Sequence, residues 1–167
     1  MSLLNSELVM QRLFSIAVAV GQNPATPFTT QSRRFVHFND VPPEAMPAMY
    51  QFQNPVRETK GGVRPLPKQD IGVSWFVYLP KSTGPDDVVS PALNQYWDAL
   101  TQAILTTLFD ASGNPTVGAV PAGSRPQDLG LGPTKVNCYV DGPGLTDEGL
   151  LSTPSLIIIP IKILTGM

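Results

Sequence analysis

Residues 155–164 read SLIIIPIKIL, the longest apolar run in the chain, with a proline at its centre. Side chains alternate sides along a strand, so Ile157, Ile159, Ile161 and Ile163 share one face. Leu156, Ile158 and Leu164 take the other face, interrupted only by Pro160 and Lys162. Proline has no amide hydrogen to give to a ladder. Pro160 therefore points to a sheet edge, or to a bulge, with the missing donor turned away from the neighbouring strand. A terminal edge strand this apolar needs a cover, either from the protein's own helices or from another subunit.

Working outward, TKVNCYVDG at 134–142 reads as a second strand with Val136, Cys138 and Val140 facing inward. The turn-rich joint PGLTDEGLLSTP is too short for a typical crossover helix, so the two strands are expected to be antiparallel neighbours. Upstream, IGVSWFVYL at 71–79 sets Ile71, Val73, Trp75, Val77 and Leu79 on one face and Ser74, Phe76 and Tyr78 on the other. AMYQFQ at 48–53 alternates in the same way, Tyr50 and Phe52 against Met49, Gln51 and Gln53. Between these two strands residues 54–70 read as a loop-like insertion carrying Arg57, Lys60, Arg64 and Lys68 against Glu58. Long exposed loops between paired strands often carry function. RRFVHF at 33–38 is the one strand-like piece of the mixed segment 22–47.

Two helices are expected. In SLLNSELVMQRLFSIAVAV, Leu4, Leu8, Leu13 and Ile16 have roughly the spacing of one face, with Ser2 as a cap and an end near Gly21 ahead of Pro24. In SPALNQYWDALTQAILTTLF, Ser90 is placed to cap and Pro91 falls at the first helical position, which needs no amide donor. Its stripe is Leu93, Trp97, Leu100, Ile104 and Leu108, flanked by Tyr96 and Thr107, with Asn94, Gln95, Asp98 and Gln102 outward. Residues 110–134 then form a loop longer than compact domains usually leave unstructured, which implies a partner that orders it. The fold class is α/β: a mixed, largely antiparallel four- to five-stranded sheet flanked by an N-terminal and a central amphipathic helix, with long loops, in one domain spanning 1–167.

Composition narrows the function. Charged residues make up 14% of the chain, against about 25% in ordinary soluble domains. A net charge of −2 argues against a dedicated nucleic-acid binder. Residues 1–81 hold eight Lys/Arg and five Asp/Glu, and residues 82–167 hold three and eight, so the halves carry +3 and −5. Such polarity suits stacking against charged neighbours. The single cysteine excludes an internal disulfide, and with no secretory leader an intracellular site of folding is expected. No apolar run reaches the length of a membrane span.

Catalytic patterns are scarce. A Ser/His/Asp site would require the single histidine, His37, and no serine sits in a G-x-S-x-G elbow. Cys138, between Val136 and Val140, reads as a buried inert thiol. GPGLTDEG and LGLGPT lack phosphate-loop spacing and read as turns. Asp141, Asp147 and Glu148 are oxygen ligands of the kind a hard cation such as calcium takes, but without the loop spacing of a known site they read as solvated or subunit-contacting groups. No catalytic, cofactor or metal residue is assigned. A small-molecule or enzymatic domain would instead gather Trp75, Tyr78, Tyr96 and Trp97 around a pocket.

Three stretches together carry a resemblance: VNCYVDG, then TDEG, then LIIIPIKIL with its central Ile-Pro-Ile. With PAMYQFQ before a polar insertion, IGVSWFVYL, and the Ser-Pro-started helix in the same order, the chain resembles the tail terminator proteins of tailed bacteriophages, lambda U type, over about residues 1–20 and 47–165. The Pro-rich 22–46 and the long 110–134 depart from that pattern. The resemblance implies a non-enzymatic virion protein, assembled in the host cytoplasm as a hexameric ring at the head-proximal end of the tail. Its partners would be further copies of itself, the tail tube protein and a head-completion or connector protein, with DNA in non-specific proximity inside the ring and no membrane. The alternative from the same neck is a head-completion or connector-adaptor protein. Arg57, Lys60, Arg64, Lys68, Asp147, Glu148, Pro160 and Lys162 are the expected interface residues, and the 54–70 and 110–134 loops the expected contacts.

Overall fold

In chain order the elements are helix α1 (Ser6–Gly21), strands β1 (Thr30–Ser32), β2 (Ala48–Gln53), β3 (Arg57–Thr59) and β4 (Lys68–Leu79), helix α2 (Ser90–Thr106), and strands β5 (Leu108–Phe109), β6 (Pro115–Thr116), β7 (Gln127–Asp128), β8 (Val136–Val140), β9 (Leu145–Asp147) and β10 (Ser155–Thr165). The structure, a computed structural model, describes residues 5–55, 57–59, 68–81, 88–120, 127–131, 136–149 and 153–165, and of 57–59, 68, 69 and 127 the backbone alone. The main sheet runs β1-β2-β4-β10-β8-β7, with β3 continuing beside β4 and β9 beside β10. Among the described residues only β1 and β2 pair in parallel. The long strands β2, β4, β8 and β10 give the expected mixed, largely antiparallel sheet with two helices, and the short strands widen it.

The apolar terminal strand lies at the centre, not at the edge. β10 pairs with β4 from Ser155↔Leu79 to Leu164↔Asp70 on one side, and with β9 and β8 in turn on the other. β9 covers Leu156–Ile158 and β8 covers Ile161–Thr165, so Pro160 falls in the break between them. The Pro160 carbonyl accepts the Asp141 amide at 2.9 Å. In extended backbone a residue's N and C=O face the same side, so the missing donor also faces this break rather than β4. The ladder thus accommodates a proline inside a sheet by changing partner strands where the proline stands.

The odd-numbered face of β4 and β10 packs beneath both helices. Ile71, Val73, Trp75, Val77, Ile157, Ile159 and Ile163 are each 0% exposed. They meet Val9, Met10, Leu13, Ile16, Ala17 and Val20 of α1 and Leu93, Tyr96, Leu100, Ala103 and Ile104 of α2. One polar side chain is buried there with both of its ends satisfied: Gln51 accepts from Trp75 Nε1 at 3.0 Å and donates to the Met10 carbonyl at 3.1 Å. Those bonds tie β2, β4 and α1 in one register, since a buried amide left unpaired would cost about 1–3 kcal/mol. α1 is capped by Asn5, whose side chain accepts the Leu8 amide at 3.2 Å, while the expected cap Ser2 lies outside the described residues.

Several local expectations are corrected. Residues 33–38 form no strand; His37 instead caps a single turn of tight helix at Phe38–Asp40. Ser90 does not cap α2, whose cap is Val89, and Ser90 turns its hydroxyl to Glu148. Leu8 and Leu108 are exposed, and Leu108 has left the helix for the β5–β6 hairpin. The insertion at 54–70 is partly strand, because β3 lies antiparallel to the start of β4. Part of 110–134 is likewise ordered within the chain: the Asp110 side chain accepts the Asn114 amide at 2.8 Å and closes the hairpin, and Gln127 pairs with Cys138.

Candidate functional site

The even-numbered face of the same strands is covered at one end only. Val41 and Met46 bury Ala48, Tyr50 and Tyr78 there, with Phe35, Val36 and Phe38 packed around them. The Tyr78 hydroxyl donates to the Val36 carbonyl at 3.2 Å. Desolvation holds that phenol up at about 12. Past this cover the face opens. Phe52, Leu145 and Leu164 are 40%, 51% and 41% exposed, and Ile158, Pro160 and Tyr139 between them are half-buried. Apolar side chains are thus exposed together on this face, beside the charged groups of its rim.

Lys162 sits on this open face. Its ammonium meets Asp70 Oδ2 at 2.8 Å, diagonally from its register partner Gly72, over which the Asn54 side chain packs. The hydrogen bond to Asp70 holds the ammonium above its ordinary pKa. The pair borders an open depression of about 400 Å³ lined by Asn54, Pro55, Asp70, Gly72, Asp141 and Lys162. Asp70 was missed in the sequence because the strand was expected to begin at Ile71, one residue later.

Asp147 and Glu148 belong to a built turn at the opposite end of the strands. Asp147 Oδ1 accepts the Gly149 amide at 2.9 Å, Gly149 having the positive φ that favours glycine. The Ser155 hydroxyl donates to the Glu148 carbonyl at 2.7 Å, and the Ser90 hydroxyl donates to the Glu148 carboxylate. An anion at the first turn of α2 complements the partial positive charge there. Trp97 of α2 packs directly over Gly144, where a side chain would collide with its ring.

The expected interface residues therefore do not converge. Pro160 and Lys162 share the middle and one end of the open face, and Asp147 and Glu148 mark the other end. Arg57 and Lys68 lie in the β3–β4 ladder with only their backbone described, and Lys60 and Arg64 lie outside the described residues. Of the four aromatics of the pocket reading, Trp75 and Tyr96 lie in the helix-covered core with Trp97 packed against it, and Tyr78 lies on the opposite face. Tyr96 donates to the Pro27 carbonyl at 2.6 Å. Cys138 is fully buried, and burial pushes its thiol up to about 12. Among the described residues no group of His, Cys, Asp and Glu is placed to hold a metal ion, and no helix is long and apolar enough to cross a membrane.

No protein-family model matches the chain, and no curated protein sequence matches it.

Proposed function

We propose that this protein is a structural component of a phage virion, a tail terminator. It forms a ring, six copies by resemblance, at the head-proximal end of the tail, ends tail-tube polymerisation and offers the surface on which head and tail join. It acts by surface complementarity and not by chemistry on a substrate. The observation that carries this reading is the open face of the sheet, where Phe52, Leu145 and Leu164 stand exposed around Pro160 and the Lys162–Asp70 pair. A face with this mixture of apolar area and fixed charge favours a protein cover. The order of strands and the Ile-Pro-Ile closing strand, in which the chain resembles tail terminators, give the cover its identity.

The test is tube capping. The cognate tail tube protein is polymerised with and without the purified protein, and products are imaged by negative stain. Tubes of limited length bearing a ring at one end are expected. Tubes that grow unchanged, with no density at either end, refute the reading.

A further inference from the structure

Asp141 and Gly142 open the joint between β8 and β9, and nowhere else in the chain does a glycine follow an aspartate or an asparagine. The pairing matters because the backbone nitrogen after an aspartate can attack that aspartate's side chain. Only glycine brings no side chain of its own to shield the nitrogen. The fold leaves this attack open. Both residues are exposed. Gly142 has a φ of 82°, and nothing lies within 4 Å of the position a side chain would take there. Among the described residues the Gly142 amide gives no hydrogen bond and the Asp141 carboxylate accepts none. Lys162 lines the same depression of about 400 Å³, but its ammonium is bound to Asp70. The depression gives room beside Asp141 for a ring and for water.

Other aspartates in turns are held differently. Asp110, Asp128 and Asp147 each accept a backbone amide, from Asn114, Gly130 and Gly149 in that order. Each is followed by a residue with a side chain, Ala111, Leu129 and Glu148. Asp141 differs from all of them in having a free carboxylate beside an unshielded nitrogen.

We propose that Asp141–Gly142 is a site of spontaneous modification in the folded subunit, where aspartate converts to isoaspartate through a cyclic imide. The Gly142 nitrogen attacks Asp141 Cγ. A C–N bond forms, the bond from Cγ to its hydroxyl breaks, and the hydroxyl leaves with the amide proton as water. Such a reaction needs no catalyst, because both groups are held together on one short stretch of chain. Water then opens the five-membered ring. Opening at Cγ restores aspartate, whereas opening at the Asp141 main-chain carbonyl leaves the backbone running through Cβ and Cγ. The water lost in the first step is regained in the second, so the conversion needs no oxidant or co-reactant.

The extra backbone methylene falls where the ladder is already broken. Val140 pairs with Ile161 and Leu145 with Ile158, so residues 141–144 stand opposite 159 and 160 alone. The carboxylate, now attached directly to Cα, is drawn back from the depression it lined. Charge at the polar end of the open face is redrawn in this way while Lys162 keeps Asp70. The site does not rest on the terminator reading.

The test ages dilute full-length protein near neutral pH, folded in buffer and, in parallel, unfolded in guanidinium. Tryptic peptide 136–162 holds both Asp141 and Asp147. Its isomers are separated by chromatography, and electron-transfer fragmentation locates the isoaspartate. In the folded chain isoaspartate should accumulate at 141 at a rate within about tenfold of the unfolded chain, a barrier difference under about 1.4 kcal/mol. A transient form lighter by one water should accompany it, and Asp147 should stay unchanged. Asp141→Glu keeps the charge but would need a larger ring, so the folded variant should yield no isomer over the same period. A folded chain that isomerises more than about tenfold slower than the unfolded one would overturn the proposal. So would as much isomer at Asp147 as at Asp141, or an undiminished yield from the Asp141→Glu variant.

Discussion

The two faces of the β4–β10 pair are built from alternate residues of the same strands yet live under different rules. On the helix-covered face, Ile157, Ile159 and Ile163 lie 0% exposed against α1 and α2. On the other, Ile158, Pro160 and Lys162 remain partly open. A one-residue step along the strand therefore exchanges a covered position for an open one, because the side-chain period of a strand is two. The contrast also shows why apolar content alone is a poor guide here: Ile158 and Ile159 are chemically identical and differ only in what covers them.

The largest expected effect breaks the contrast if it is wrong. Ile159→Ala should cost about 2–5 kcal/mol, since the methylenes removed leave a cavity that both helices hold open. Ile158→Ala should cost about 1 kcal/mol, because part of its surface already meets water. Urea unfolding of the two variants side by side measures the difference, and equal losses would mean that the open face is closed in solution.

Gly144 sharpens the comparison at the sheet's rim. A methyl group there meets the Trp97 ring and the Ile158 carbonyl, so Gly144→Ala should cost about 1–3 kcal/mol through forced repacking. Its thermal midpoint should fall below that of Gly118→Ala, where nothing lies near the added carbon and only the positive φ is strained.

Alkali separates the faces in another way. Burial raises the Cys138 thiol from 9.0 to about 12. Above pH 9 the unfolded chain therefore releases this proton while the folded one keeps it, so stability falls as pH rises. The slope approaches about 1.4 kcal/mol per pH unit for this group. Tyr78, on the opposite face, is raised from 10.0 to about 12 and adds to the fall only above pH 10. Cys138→Val should remove the loss between pH 9 and 10, and Tyr78→Phe should spare stability only beyond it. Urea midpoints measured from pH 8 to 11 check both, and a Cys138→Val variant with an unchanged pH profile would place the thiol in water.

Much of this contrast was legible in the alternation of 71–79 and 155–164, whose inward residues are the buried ones. The position of β10 was not, because a proline in a strand argues for an edge while apolar residues on both faces argue for the centre. Resolving that conflict required knowing that β9 and β8 change over at Pro160, which depends on pairings distant in sequence. The inward side of α1 was only partly legible: Leu13 and Ile16 are buried, but Leu8 is exposed and Val9 and Met10 are not. Apolar residues occur nearly all round that helix, so spacing leaves its orientation underdetermined. The partner of Lys162 was hidden for a simpler reason, since Asp70 read as the last residue of a loop.

The smallest expected effect on stability carries the most about function. Leu145 and Leu164 are already about half in water, so Leu145→Ser and Leu164→Ser should each change unfolding free energy by roughly 0.5–1 kcal/mol. Neither side chain belongs to the helix-covered core. If the open face meets another subunit, the same truncations remove apolar contact area from that interface, and its central contacts contribute unequally large shares of binding. Assembly followed by light scattering, or capping of tail tubes, should then weaken by tenfold or more in at least one variant whose melting is almost unchanged. If melting drops by several kcal/mol instead, the face is already buried in the monomer. If neither stability nor assembly moves, the contact lies elsewhere on the molecule.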